Sequence, residues 1–390
     1  MSNSDIISNI QDKFNELFNG KALLIESPGR INLIGEHTDY NEGFVMPAAI
    51  DKSIFLAMAE NQEGIFRFYS TDFGEEYTTT EITKNVGNKK WALYLMGVLA
   101  QFQKEKVKLK GINCVFGGNI PIGAGLSSSA ALECGFAFGL NKIFNANFRD
   151  SELVKMAQQA EHEYAGVMCG IMDQYASVFG KKEQVFSLDC RTHEHSYYQL
   201  SMKNHLIALV DTKVKHELAS SEYNQRRIEC EKGVSILQKY DEGISSLRDV
   251  NLDLINEHKS EFTETVYKRC TYIVKENQRV NEACNALENN DYDKFGDLMY
   301  LSHSGLKSEY EVSCKELDIL VDLTQNMDFV LGSRMMGGGF GGCTINLIKS
   351  EYKEKFQDQI SREYFLQTKI NPEVYFVKLS DGVRNIVQKK

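Results

Sequence analysis

The sequence predicts a soluble protein of two domains that mixes strands with helices, and three observations carry this. Its 390 residues exceed what one core usually holds, since domains run to roughly 100–200 residues. Apolar residues make up 42% and charged residues 25%, the balance of a folded chain with a sizeable core. Strand-like and helical runs alternate through the first half, whereas Leu218 to Asn326 is almost wholly helical. That shift puts a boundary in the polar, aromatic stretch around His193 to Gln199, dividing the chain into residues 1–198 and 199–390.

Taken in order, Ile6, Ile10, Phe14 and Leu17 recur at helical spacing and predict an amphipathic helix docked on the core. Asp5 and Asp12 lie within it and no basic run precedes an apolar one, so it does not read as a secretion signal. Short apolar runs at Ala22–Glu26, Ser53–Ala59, Gly64–Ser70, Gly111–Phe116, Leu206–Val210 and Thr344–Ile348 read as strands. Helical patterns occupy Trp91–Lys104, Ser128–Ile143, Ser151–Ala165, Met172–Phe179, Leu218–Lys239, Phe262–Glu288 and Lys315–Asn326. The uncharged stretch Gly111 to Leu132 is no membrane span, because its Asn, Ser, Pro and Gly residues would leave polar groups unpaired in lipid.

A net charge of −10 argues against nucleic acid or an anionic membrane as partner, while leaving room for a local basic pocket that holds a phosphorylated ligand. Nine cysteines, with no C-x-x-C pair and no zinc-finger spacing, read as reduced thiols of a cytoplasmic protein.

Four segments concentrate chemistry. In Ser27-Pro-Gly-Arg-Ile-Asn-Leu-Ile-Gly-Glu-His-Thr-Asp-Tyr-Asn41, the residues Arg30, Glu36, His37, Asp39 and Tyr40 crowd together beside an apolar strand. Several acceptors and an imidazole suit a polyhydroxylated ligand, although a solvated turn with an ordinary salt bridge would look the same. In Gly117-Gly-Asn-Ile-Pro-Ile-Gly-Ala-Gly-Leu-Ser-Ser-Ser-Ala-Ala-Leu-Glu133, small residues and three hydroxyls precede a helix, whose free N–H groups favour a phosphate. The segment lacks the closing Gly-Lys-Ser/Thr of a Walker loop and the third glycine of a Rossmann fingerprint, and a plain helix cap is the alternative. Gly337-Gly-Gly-Phe-Gly-Gly-Cys343 is either a glycine-rich hairpin or a loop packed against a ligand. Finally, Glu161 falls in the last turns of one helix and Asp173 just inside the next, where the helix dipole favours negative charge; singly, each also fits a surface or capping acid.

Together these segments resemble the GHMP family of small-molecule kinases, from about Ala22 to Ile348. Gly-Arg-Ile-Asn-Leu-Ile-Gly-Glu-His-Thr-Asp-Tyr-Asn is similar to the galactokinase signature rather than to the family-wide pattern. Pro121-Ile-Gly-Ala-Gly-Leu-Ser-Ser-Ser-Ala-Ala is similar to the family's ATP-phosphate loop, and Met336-Gly-Gly-Gly-Phe-Gly-Gly to its third motif, with Met336 where Thr is frequent.

The resemblance implies an α+β fold of two domains, the first like ribosomal protein S5 domain 2, with the active site in the cleft between them. It implies ATP-dependent phosphorylation of α-D-galactose at O1. Glu36, His37, Thr38, Asp39, Gly170 and Tyr223 would contact the sugar. Gly123, Ala124, Gly125, Leu126, Ser127, Ser128 and Ser129 would wrap the triphosphate, and Ser70 would touch the nucleotide. Ser129 and Glu161 would bind Mg²⁺, a hard ion that takes oxygen ligands. Asp173 would act as base with Arg30 beside it. Galactose and ATP would be the partners of a cytoplasmic monomer without an obligate protein partner. Two alternatives stay open: a kinase for another sugar, such as N-acetylgalactosamine, galacturonate or arabinose, and a catalytically dead sugar sensor.

Overall fold

The computed structural model describes residues 2–121, 123–200, 203–214 and 219–387. Ile122, within the Gly/Ser segment, and Leu218, the expected first residue of the long helix, lie outside the described residues. Helix α1 (Asn3–Phe18) opens on a capping box in which Ser2 and Asp5 exchange side-chain and backbone hydrogen bonds. Its Ile6, Ile10 and Phe14 bury against Leu24, Phe55 and Val115. Burial contributes about 1.5–3 kcal/mol per such side chain, enough to hold a helix that would be marginal alone.

The chain continues through β1 (Leu23–Asn32), β2 (Phe44–Val45), β3 (Pro47–Asn61), β4 (Phe66–Ser70), β5 (Glu75–Thr79), α2 (Ala92–Lys104) and β6 (Gly111–Gly118). Then come α3 (Ser128–Ile143), α4 (Asp150–Ala160) and α5 (Met172–Phe179). Alternation along β3 separates the layers: Ile54, Leu56 and Met58 face the main core, whereas Phe55 and Ala57 face α1. The helix expected over Ser151–Ala165 is α4 extended by a π-helical turn, Glu161–Ala165, a distortion that often marks a functional site.

After β7 (Gln184–Asp189), β8 (His195–Gln199) and β9 (His205–Asp211), the helices α6 (Ala219–Leu237), α7 (Leu252–Glu257), α8 (Glu264–Glu288), α9 (Tyr292–Ser308) and α10 (Lys315–Thr324) follow. The chain ends through β10 (Val330–Met335), β11 (Cys343–Lys349), α11 (Lys353–Thr368), β12 (Glu373–Val377) and β13 (Arg384–Asn385). Among the described residues three sheets form, ordered β13-β1-β3-β6-β4-β5, β10-β11-β9-β12 and β2-β7-β8.

The aromatic stretch around His193 to Gln199 is therefore largely strand β8. Its His195 and Tyr197 rings pack around Tyr175 and Phe186. The residues after 199 also end inside the first sheet, because β13 pairs with β1. The two halves share a core: Leu209, Val280, Phe295 and Met336 belong to one cluster with Ile31, Leu33 and Met46. Among the described residues no helix is long and apolar enough to cross a membrane.

Candidate active site

Between the two halves lies a cavity of about 230 Å³, lined by Arg30, Glu36, His37, Asp39, Glu161, Val167, Cys169, Met172, Asp173, Tyr223, Gly337 and Gly338. Three of the chemistry-bearing segments line it, joined by Tyr223 of α6. The β1–β3 register shifts between Pro28 and Arg30, an irregularity of the kind that re-aims a side chain. Arg30 meets Asp173, in the first turn of α5, as a two-pronged fork: Nε to Oδ1 and Nη2 to Oδ2, both 2.8 Å. Its remaining Nη1 donates to the Gly125 carbonyl of the Gly/Ser segment. The Arg30 side chain is 5% exposed and that of Asp173 is 25% exposed, so of these two lining residues the carboxylate is the more open to the cavity.

Ser127 stands at the head of α3 with left-handed backbone, φ 56°. Its hydroxyl donates to Asp173 Oδ2 and does not cap its own helix. The Gly/Ser segment is thus tied to Asp173 through both Ser127 and Arg30. It also packs against the third motif, where Gly337 approaches Gly125 and Gly342 approaches Ala124. Ser128 and Ser129 follow in the first turn, partly exposed. Ser70 is buried at the end of β4 beside Phe116 and does not line the cavity.

The sugar-motif turn is rigid. Glu36 pairs with buried Arg334 of β10 (Nη2 to Oε1, 2.8 Å), and the same oxygen accepts the Gly337 N–H at 2.7 Å. Burial outweighs these partners and raises its pKa. His37, at φ 64°, sends Nδ1 to the Tyr40 hydroxyl (2.8 Å), which meets the Tyr310 hydroxyl at 2.7 Å. Burial, then the charge of Arg226, lowers its pKa to about 3, so the imidazole is neutral at physiological pH. Its ring packs on Tyr223 of α6, with centroids 5.3 Å apart.

Two residues expected to contact the sugar do not line the cavity. Thr38 turns its hydroxyl inward to the carbonyls of Gly35 and Phe44, fixing the turn instead. Gly170 makes room for Asp39: a Cβ there would fall 2.0 Å from Asp39 Oδ2.

Burial, then the neighbouring charge of Asp173, raises Asp39 from an ordinary 3.8 to about 7. Between those values the folded state keeps a proton that the unfolded chain has lost. Stability therefore falls as pH climbs from about 4 to about 7 and levels off above. Asp39→Asn removes this dependence, so the melting temperature of the unliganded variant relative to the parent rises between pH 5 and pH 8. A difference that stays constant across that range contradicts the assignment.

Glu161, in the π-helical turn, accepts from Gln174 Nε2 at 2.8 Å and is also bonded by Ser129. Burial, then Asp173, raises it to about 7. Glu133 lies buried beside it, held well above the usual carboxylate range by burial and then by Glu161. Among the described residues no three His, Cys, Asp or Glu side chains form a metal-holding group. The Ser129 hydroxyl and Glu161 carboxylate nevertheless offer hard oxygens in an acidic, desolvated corner, a donor set that fits a small divalent cation beside ligand phosphates.

Sequence reasoning missed Arg334, Glu133 and Gln174. A charged residue within the otherwise uncharged strand Val330–Met335 signals a buried partner, and Glu133 lies one helical turn after Ser129 on the same face.

Three family models match the chain: the GHMP kinases N terminal domain over residues 93–181, the galactokinase galactose-binding signature over residues 12–60, and the GHMP kinases C terminal domain over residues 283–366. The chain is 41% identical to the galactokinase of Thermosipho africanus, across 93% of this chain and 99% of that protein. It is 39% identical to that of Clostridium acetobutylicum, across 98% and 100%. Among solved structures, Lactococcus lactis galactokinase complexed with galactose superposes with a TM-score of 0.93 at 32% identity, covering 98% of this chain and 100% of that one. A mevalonate kinase shares the fold, with a TM-score of 0.65 at 19% identity.

Proposed function

The chain belongs to the galactokinases of the GHMP kinase family, and from that premise we propose that it transfers the γ-phosphoryl group of ATP to O1 of α-D-galactose. The observation that carries the chemical reading is the Arg30–Asp173 fork, which turns a single carboxylate face toward a cavity lined by polar side chains. Phosphoryl transfer asks chiefly for positioning and charge neutralisation.

Glu36, His37, Asp39 and Tyr223 hold the sugar hydroxyls. Asp173 takes the proton of the C1 hydroxyl as O1 bonds to the γ-phosphorus and the bond to ADP breaks. Arg30 fixes both Asp173 oxygens, keeping the lone pairs aimed at O1. The backbone from Gly123 to Ser129, at the head of α3, receives the triphosphate, with Ser70 near the nucleotide. Ser129 and Glu161 would hold Mg²⁺. When bound, the ion neutralises charge on the phosphates. The same reading makes the enzyme a cytoplasmic monomer that meets two small molecules.

The test is ADP release from Mg-ATP across galactose, N-acetylgalactosamine, glucose, arabinose, galacturonate and mevalonate. Turnover on galactose in strong preference to the rest is expected. Preference for another sugar overturns the assignment of the turn Glu36–Asp39, and binding of galactose without turnover on any substrate overturns the kinase reading.

A further inference from the structure

Helix α8 carries no residue that lines the cavity, yet three of its buried side chains grip the backbone of the sugar-motif turn. The Tyr272 hydroxyl donates to the Glu36 carbonyl at 3.0 Å. One turn on, Glu276 Oε1 accepts the Gly35 N–H at 2.9 Å, and next to it Asn277 Oδ1 accepts the Phe44 N–H at 3.0 Å. These contacts fasten both ends of the turn that presents Glu36, His37 and Asp39.

The two glycines in the turn admit the helix. A Cβ on Gly35 would lie 2.9 Å from Val280, and one on Gly43 would lie 2.3 Å from Asn277 Oδ1. Glu276 is fully buried and is itself fixed: Ser302 of α9 donates to Oε1 at 2.6 Å and Arg279 Nε to Oε2 at 2.6 Å. A carboxylate this deep carries a desolvation cost that an apolar residue packing α8 would not incur.

We propose that Glu276, with Asn277 and Tyr272, positions the sugar-binding turn from the other half of the chain and thereby sets affinity for the sugar, not for the nucleotide. The helix acts through the turn's backbone, and the ATP-side residues Gly123 to Ser129 come from a different segment. This inference rests on the sugar-kinase reading above.

The experiment compares steady-state kinetics of the parent protein with Glu276→Ala, Glu276→Gln and Asn277→Ala. Losing one buried hydrogen bond from the turn is expected to raise KM for galactose about tenfold in each alanine variant. KM for ATP should stay within about twofold. Glu276→Gln keeps an oxygen for the Gly35 N–H and should recover most of the sugar affinity. A merely structural role would lower the melting temperature of the variants and leave the two KM values in their original ratio, which overturns the proposal. Should Glu276→Ala prove insoluble, the same split in Asn277→Ala decides the matter. Turnover of the parent protein tests the galactose reading separately, because the KM ratio can be measured with whichever sugar reacts.

Discussion

Asp173→Asn is expected to lower kcat by about 10²–10⁴-fold, the contribution of a positioned general base, while KM for galactose changes little. The carboxylate is the group in the cavity held by Arg30 through both oxygens, and its exposed face is the one directed at the space where a sugar hydroxyl would sit. Asparagine keeps the shape and one oxygen for Arg30 but cannot accept the C1 proton. Alanine would be a poorer probe, since it leaves the nearly buried Arg30 guanidinium with the Gly125 carbonyl as its remaining partner and so confounds chemistry with folding. Steady-state kinetics and a thermal melt on one preparation separate the two effects. A folded variant whose kcat stays within about tenfold of the parent's would remove Asp173 from the chemistry.

The second large effect is on folding. Arg334→Met is expected to cost about 3–5 kcal/mol, because it takes from buried Glu36 its direct ion-pair partner and leaves the weaker influence of the Arg30 charge. Arg334 is fully buried, reaching Glu36 through Nη2 and the Met335 carbonyl through Nη1 at 2.9 Å. What remains at the Glu36 carboxylate is hydrogen bonding from neutral donors, the Gly337 N–H and the Asn32 side chain. The denaturation midpoint in urea should drop, and the double variant Glu36→Gln, Arg334→Met should regain part of the loss because no charge is then stranded. A single variant as stable as the parent would show that the pair is not what holds the first and third motifs together.

Much of the site is legible in the sequence because its groups lie in short local patterns. Arg30 lies near the end of strand β1, a few residues before the turn that carries Glu36, His37 and Asp39, and Asp173 enters at the start of a helix whose apolar spacing is plain. What stays hidden is long-range. Glu276 meets Gly35 across 241 positions, and Arg334 meets Glu36 across 298, so neither partner can be named until the fold brings it, even where a lone charge in an apolar strand points to burial, as at Arg334. Thr38 sits inside the sugar motif but points away from the cavity, a choice made by the carbonyls of Gly35 and Phe44.

The fold shows the same division. Helix α1 and strands β3 and β6 follow from apolar spacing, whereas β13 is two residues long and exists only because β1 offers it an edge. Helix α11 buries Phe356, Ile360 and Tyr364 at a regular four-residue spacing, a signal present in the sequence but diluted by the charged residues between them.

The central claim is phosphoryl transfer to one oxygen of one sugar, and the product reports it most directly. The protein is incubated with Mg-ATP and galactose, and the sugar is read by ³¹P and ¹H NMR as ADP accumulates. One phosphate ester at the anomeric carbon, in the α configuration, is the predicted result. Galactose recovered unchanged, or phosphate on any other hydroxyl, would contradict the roles assigned to Asp173 and to the turn from Glu36 to Asp39.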